Sequence, residues 1–578
     1  MSTAELSGAE LNGAGAFAPH LDAVIAELAT GAERWAATPI DARVRLLAAV
    51  ATSVDREAKN WVVTASKIKG LTPSSRLIGE EWLSGPYALL NALATLGRSL
   101  DAIARGESPV AGRRFGRAPG NRVTVPVLPG TVYESVLLHG FTAETWMPPG
   151  VTAEQVTARA GLGALRTGVT GGVGLVLGAG NITSIPPLDV LYELIAHNRV
   201  SVLKLNPVMK RMLPVYESAL APLIAAGALR VVTGGAEEGG YLAHHPGIRH
   251  VHITGSAATH DVVVFGPGAE GVARKAAGTP LLTKPITSEL GGVAPIIVLP
   301  GTWTDRDLSF QAAHVATMRL QNGGYNCIAG QVVVLSSDWP QKNAFIGALR
   351  TALAEAPARP PWYPGSDTRV AQALASYPGA ERIRGGRLLV DLRAADDASP
   401  MQSTEYFSPV LGVIELPGTG QAFFDAAVAT SNADFLGTLG ANVIGSPRSI
   451  RSLGAGFAST LAKLRYGTIA VNAWTGLGFL TAAAPWGAFP GHTLGDVQSG
   501  IGVVHNALLL DGPERTIVRG PFRPFPRSVA HGEFALSPTP PWFVSARSAA
   551  KTGRLLTAFA ARPSWAKMPA VFVSAFRA

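Results

Sequence analysis

The sequence predicts an α/β protein of more than one domain, with at least one parallel sheet covered by helices on both faces. Three observations carry this reading. Short apolar runs alternate with helical patterns from Val173 to Thr254, and strands spaced in this way are joined by crossover helices. A second alternation runs from Ala294 to about Tyr466. The chain has 578 residues, of which 47% are hydrophobic and 15% charged, enough apolar material for two or three cores.

From Leu21 to about Ser108, Leu, Ala, Val and Ile recur at three- and four-residue spacing between charged positions such as Asp41, Arg45 and Lys59, which predicts an N-terminal helical region. The stretch Gly112 to Val132 is rich in Val and Thr and is punctuated by Pro and Gly, a β signal. Strands follow at Val173–Leu177, Val200–Leu205, Leu229–Val232 and His250–Thr254, with helices at Pro187–His197, Leu213–Ala226 and Ala236–His244 between them. Such a sheet takes its ligand at the carboxyl ends of its strands. The second block is expected to hold strands at Pro295–Val298 and Val332–Leu335 and helices around Asp307–Leu320 and Trp339–Ala354.

From Gly512 onward prolines at 513, 521, 524, 526, 538, 540 and 541 interrupt the pattern, so residues 512–578 are expected to be a tail on the surface. Cations such as Arg523, Arg547 and Lys551 alternate there with Trp542, Phe543, Phe559, Trp565 and Phe576. Two readings stand: aromatics packed on the main body under a solvated cationic face, or peripheral contact with acidic lipid headgroups or a partner subunit.

The net charge of +9 suits anionic partners. No zinc-finger spacing, RNP-like aromatic motif or basic heptad helix is present, which argues against nucleic acid. A single cysteine excludes an intramolecular disulfide and a cysteine-based zinc site, and no other metal constellation appears. Met1 to Gly15 carry acids and no basic n-region, unlike a secretory leader. No apolar run reaches the ~18 residues of a membrane span. A cytoplasmic protein is expected.

The lone cysteine decides where chemistry is sought. Cys327 lies in Gln321-Asn-Gly-Gly-Tyr-Asn-Cys-Ile-Ala-Gly-Gln331, where glycines let the backbone turn closely around a reacting centre. A buried inert thiol is the alternative for any isolated cysteine. Other groups in order along the chain are Gly178-Ala-Gly-Asn181 after a buried strand, Val202-Leu-Lys-Leu-Asn-Pro207 at a strand end, Ile253-Thr-Gly-Ser256 at a strand-to-helix turn, Ser288-Glu-Leu-Gly-Gly292, Glu405-Tyr-Phe-Ser-Pro409 and Pro485-Trp-Gly-Ala-Phe-Pro-Gly491.

Taken in this order, from about Gly171 to Gly491, these segments resemble the motifs of the aldehyde dehydrogenase superfamily. The resemblance implies a Rossmann-type cofactor lobe, an α/β catalytic lobe and small β oligomerisation elements. The boundaries it implies are an N-terminal helical part of the cofactor lobe at 1–110, the NAD(P)-binding lobe at 111–290, the catalytic lobe at 291–475 and a return segment at 476–511. The family's short C-terminal strand pairs with a neighbouring subunit, so a homo-oligomer is expected.

The resemblance also implies roles. Cys327 is the nucleophile toward a small aldehyde, Asn181 an amide donor to the carbonyl oxygen, and Glu289 the base that activates water against the thioester. Lys204, Thr254, Gly255, Ser256, Glu405 and Phe407 are implied at the cofactor. Pro207 stands where the family often has an acid that would repel a 2′-phosphate, so NAD and NADP both remain open. The same motifs also suit an acyl-CoA reductase, or a silent scaffold of the same fold, although a base at Glu289 favours water as acyl acceptor. Tyr192 is expected to pack and Glu193 to face solvent. The histidines at 197, 245, 252 and 492 are read as structural.

Overall fold

The computed structural model describes residues 17–393 and 395–578; Met1 to Gly15, on which the argument against a leader rested, lie outside the described residues. Long helices at Ala18–Ala37, Ile40–Ile68 and Ala88–Ala104 form the expected N-terminal region. They bury Leu28, Trp35, Leu47, Trp61 and Leu93. Two indoles fasten them to the body: Trp35 donates to the carbonyl of Leu194 at 3.1 Å and Trp61 to the hydroxyl of Thr183 at 2.8 Å.

The strands in chain order begin with β1 (Gly116–Ala118), β2 (Arg122–Leu128) and β3 (Thr142–Trp146). Next come β4 (Val173–Leu177), β5 (Val200–Lys204), β6 (Leu229–Val232), β7 (Ile248–Gly255) and β8 (Ile286–Leu290). The second block supplies β9 (Ala294–Val298), β10 (Gly330–Ser336), β11 (Glu381–Ile383), β12 (Arg387–Asp391), β13 (Val410–Leu416), β14 (Gly440–Ile444) and β15 (Thr468–Val471). Four short strands close the chain: β16 (Pro485–Trp486), β17 (Gly500–Ile501), β18 (Val504–His505) and β19 (Arg515–Arg519).

One sheet has six strands in the order β17-β8-β7-β4-β5-β6, and all pairs but the antiparallel β17·β8 are parallel. Helices on its faces leave β4 and β5 buried throughout or nearly so, which is why those strands read as continuous apolar runs. The helix expected over Leu213–Ala226 is two short ones, Leu213–Ala219 and Ala221–Ala225, with Pro222 in the first turn of the second.

The other sheet has eleven strands, β1-β2-β3-β19-β15-β14-β9-β10-β13-β12-β11. Seven strands from β19 to β12 run parallel, with β11 antiparallel at one edge and the β1-β2-β3 meander antiparallel at the other. Two expectations are corrected here. β1, β2 and β3 fall in the stretch 111–290 assigned to the cofactor lobe, yet they extend the larger sheet. β19 falls in the expected surface tail, yet it lies between β15 and β3 of its own chain, with Ile517 and Val518 fully buried. The neighbouring prolines mask a five-residue strand that alternation alone cannot separate from a tail.

The rest of the segment packs as well. The helix Ala549–Ala561 lies against Ile78–Trp82, where facing glycines permit close approach: a Cβ on Gly79 would meet the backbone of Ala549 at 2.5 Å, and one on Gly553 the Cβ of Trp82 at 2.9 Å. Trp542, Phe543 and Phe559 turn inward, while Trp565 and Phe576 stay about half exposed. Among the described residues, no helix is long and apolar enough to cross a membrane.

Candidate active site

Cys327 sits between the end of the helix Asp305–Leu320 and β10. The helix stops in an irregular turn in which Asn322 (φ 56°), Gly323 (φ 76°) and Gly324 (φ 83°) take left-handed backbone. Glycine adopts that region without strain and asparagine tolerates it. Hydrogen bonds then fix the turn. The Asn322 side chain donates to the carbonyls of Asn181 and Tyr325, both at 3.2 Å, and to Oδ1 of Asn326 at 3.1 Å. Buried Arg319 donates to the carbonyl of Gly324 at 2.8 Å.

The loop after β4 meets this turn. Asn181 is buried and donates its amide to the carbonyl of Tyr325 at 2.9 Å, two residues before the cysteine. An amide nitrogen carries two donors, so this bond orients Asn181 and leaves it a second N–H.

Glu289, on β8 and buried, lies beside both Cys327 and Trp486. Burial, then the charge of Asp189, push its carboxyl up to about 7. Burial, then Glu289, push the Cys327 thiol well above its ordinary value. The Glu289 carboxylate thus opposes ionisation of the thiol, while the Cys327 S–H, as a donor, draws the Glu289 carboxyl down. Cys327 lies deep but keeps a partly exposed face. Oε1 of Glu289 and the indole N–H of Trp486 are buried without a hydrogen-bond partner.

Around these groups the carboxyl ends of β4, β5 and β7 line up. Lys204 ends β5, largely buried, and burial holds its ammonium below its ordinary value while Glu238 opposes the shift. Ser256 follows β7 and caps the helix Ala257–Phe265, its hydroxyl accepting from the N–H of Thr259 at 3.2 Å. Gly255 ends β7 with an exposed backbone.

Thr254, near the end of β7, is engaged within the protein. It is buried and its hydroxyl donates to Asp189 at 3.0 Å, because its side chain points off the strand toward the helix Ile185–His197. Asp189 in turn lies near Glu289, whose carboxyl its charge raises. Glu193 on that same helix is buried as well, contrary to the surface position expected. Burial would raise its carboxyl, but His250 at 3.2 Å and Arg199 at 2.8 Å hold it down at about 2.

Glu405 and Phe407 approach from the larger sheet. Glu405 rests over Gly291, where a Cβ would come within 2.0 Å of its Oε1; that oxygen is buried and unpartnered. Burial pushes its carboxyl up to about 7 against the pull of the Gly292 N–H and of Arg319. Phe407 (φ 40°) packs against Tyr363 at 5.0 Å and Tyr325 at 6.0 Å between ring centres, with the Arg369 guanidinium 5.8 Å above it.

The structure thus brings Glu289 beside Cys327 and Asn181 to the carbonyl two residues before it, while Lys204 and Ser256 stand at the ends of β5 and β7, the two strands that flank β4, and Glu405 lies over Gly291. Sequence reasoning missed Asp189, Arg319, Arg369, Tyr363 and the Glu80–Arg359 pair behind the turn. A pair of acids inside the apolar run Ile78-Gly-Glu-Glu-Trp82 was the available signal, since buried acids need partners.

Solved aldehyde dehydrogenases share this architecture. The chain superposes on a mutant of aldehyde dehydrogenase C from Pseudomonas syringae, complexed with NAD+ and octanal, with TM-score 0.58 and 18% identity over 88% of this chain and 90% of that one. The Mycobacterium tuberculosis aldehyde dehydrogenase complexed with NAD+ gives TM-score 0.57 and 18% identity over 86% and 90%. NADP-dependent glyceraldehyde-3-phosphate dehydrogenase from Bacillus halodurans, complexed with NADP, gives 0.57 and 19% over 86% and 91%. The fold is therefore that of the aldehyde dehydrogenases. Residues 206–372, which include Glu289 and Cys327, match the model of the aldehyde dehydrogenase family.

Proposed function

We propose that this chain oxidises an aldehyde to its carboxylate with NAD+ or NADP+, by way of a thiohemiacetal and a thioester on Cys327. The observation that carries the reading is the apposition of a partly exposed thiol, Cys327, with a buried carboxyl, Glu289, whose ionisation falls near neutrality. A carboxylate in that range is an effective base at physiological pH.

In the first step the thiol sulfur adds to the aldehyde carbon as its proton passes to Glu289. The developing oxyanion takes hydrogen bonds from the free N–H of Asn181 and the backbone N–H of Cys327; one such donor contributes about 3 kcal/mol to the barrier. When bound, the oxidised nicotinamide supplies the acceptor for the hydride that leaves the former aldehyde carbon. The thioester left on Cys327 is then attacked by water. Once Glu289 has released the first proton to solvent it takes one from the water and passes it to the sulfur as the C–S bond breaks, which leaves the thiol and a carboxylic acid that ionises to the carboxylate.

The chain's residues fit the cofactor. Lys204 at the end of β5 suits a ribose hydroxyl or a 2′-phosphate, and the N-terminus of Ala257–Phe265 with Ser256 suits a pyrophosphate. The unpartnered Oε1 of Glu405, aligned over Gly291 beside Phe407, suits a ribose hydroxyl.

Absorbance of the reduced nicotinamide tests the reading, with wild type and Cys327→Ala, across short, long and aromatic aldehydes with each cofactor. Growth of signal in wild type alone is expected. Equal signal in both proteins, silence of both, or reduction of acyl-CoA by NAD(P)H faster than aldehyde oxidation overturns it.

A further inference from the structure

A file of polar side chains leads from Glu289 toward the far end of the smaller sheet, and the steps above leave it unused. His250, His252 and Thr254 alternate along β7 and so share a face, as do Thr287 and Glu289 on β8. The two strands run parallel in a register that sets His252 opposite Thr287 and Thr254 opposite Glu289. Asp189 and Glu193, one helical turn apart on Ile185–His197, lie over this face. Strand pairing thus puts the base at one end of a line of hydroxyls and imidazoles.

The links are short. Thr254 Oγ1 stands 3.3 Å from Nε2 of His252, and Asp189 lies 3.5 Å from the same nitrogen. The other nitrogen of His252, Nδ1, is 2.9 Å from the Thr287 hydroxyl, which is itself 3.4 Å from Nε2 of His250. Nδ1 of His250 is 3.2 Å from Glu193, and Glu193 accepts from Arg199 at 2.8 Å. Both histidines and both acids are buried, whereas Thr287 and Arg199 keep partly exposed edges.

Each ring is engaged at both nitrogens, the arrangement in which an imidazole takes a proton on one side and yields one on the other. Each also faces a carboxylate that offsets a passing positive charge. Burial holds His250 below its ordinary value although Glu193 opposes it; at His252 burial is outweighed by Asp189 and Glu193, and the ring is held above its ordinary value. Arg199 and His197 at the outer end, with Glu289 and, beyond Asp189, His505 at the inner end, complete the charged surroundings.

From this geometry we propose that Thr254, His252, Thr287, His250 and Glu193 form a relay that carries to solvent the proton Glu289 takes from Cys327. The proposal rests on the aldehyde-oxidising reading and supplies the step that frees Glu289 for water. Each transfer breaks one O–H or N–H bond as the next forms, starting with the proton of each neutral ring on Nδ1. Thr254 takes the proton of Glu289 and passes its own to Nε2 of His252. Nδ1 of His252 gives its proton to Thr287, whose hydroxyl proton moves to Nε2 of His250. Nδ1 of His250 hands the last one through Glu193 to water beside Arg199. One proton enters and one leaves. His252, expected to be structural, is then a working link.

Rapid-mixing absorbance of the reduced nicotinamide tests the relay in wild type, His250→Ala, Thr287→Val and Thr287→Ser, with and without added imidazole. Hydride transfer does not wait for Glu289 to be freed, so the burst is expected to keep its rate and amplitude in all four. The steady-state rate is expected to fall roughly tenfold or more in His250→Ala and Thr287→Val, to hold in Thr287→Ser, and to recover in His250→Ala as imidazole fills the place of the missing ring. A rate that does not fall, a fall that takes the burst with it, or one that neither serine nor imidazole restores overturns the relay. Should His250→Ala fail to fold, the contrast between valine and serine at 287 decides alone: equal rates overturn the relay. Nitrogen-15 NMR of the histidine rings in wild type and Glu289→Gln needs no turnover and separates the two readings. Loss of the Glu289 charge is expected to lower the titration of His252 and, through Thr287, to shift that of His250. Movement of both rings in a protein that oxidises no aldehyde keeps the connection and fells the enzymatic reading. Rings that titrate identically in the two proteins overturn the relay.

Discussion

Glu289 is placed where solvent does not screen it, and its behaviour follows from that. Burial and the neighbouring Asp189 raise its carboxyl to about 7, so below that pH it is protonated and unable to accept from water. The rate of thioester hydrolysis is expected to climb about tenfold per pH unit up to about 7 and then level, and the inflection should vanish in Glu289→Gln. That variant should still release a burst of reduced cofactor, slowed by the loss of the acceptor for the thiol's proton, while its steady-state rate falls roughly a hundredfold or more. Rapid-mixing absorbance across pH 5–9 reads both; a variant that retains the inflection would assign it to another group.

At the scale of elements, the cysteine turn is held from behind by a buried charge cluster. Glu80 accepts the backbone N–H of Asn322 at 3.0 Å and pairs with Arg359 at 2.5 Å, and Lys69 pairs with Glu81 at 2.9 Å with neither side chain exposed. Removing one cation leaves two buried acids facing a single lysine. Arg359→Met is therefore expected to destabilise the protein by about 3 kcal/mol and to lower kcat, because the loosened Asn322 also orients Asn181. Urea midpoints at constant m-value read the first effect. An unchanged midpoint would mean that the turn does not depend on the cluster.

None of these charged residues announces itself in the sequence, because their pairing crosses from Lys69 to Arg359. The parallel strands were legible: β4 and β5 are buried on both faces and so read as short apolar runs, and β6 and the helix Ala236–His244 fall where alternation puts them. The cysteine and glutamate segments were legible because their glycines and order are specific. What escaped was long-range pairing. Three strands ahead of residue 150 join a sheet built mostly after residue 290, and β19 hides between prolines.

Over the whole molecule, two buried histidines set a limit on acid stability. Burial lowers His314 to about 3 and His505 to about 4, whereas both regain an ordinary value near 6.5 on unfolding. The unfolded chain binds more protons between these values, so stability present above pH 6.5 is lost as pH falls toward 4. At pH 5 the loss is on the order of 2 kcal/mol for each. Glu289 and Glu405, both raised to about 7, act in the opposite sense over the same range, so the test is a difference between proteins: the Tm of His314→Gln, which replaces the ring with a neutral amide beside Gln311, is expected to gain on that of wild type as pH falls from 7 to 5.

The position of β19 also orders events in time. The β1-β2-β3 meander reaches the large sheet only through this strand, and β15 has no other neighbour on that side. Residues 515–519 leave the ribosome after every other strand of the two sheets. Until they emerge, the bare edges of β15 and β3 are open templates for pairing with other chains, and a nascent protein stalled before Gly512 is a sticky intermediate that chaperones must shield.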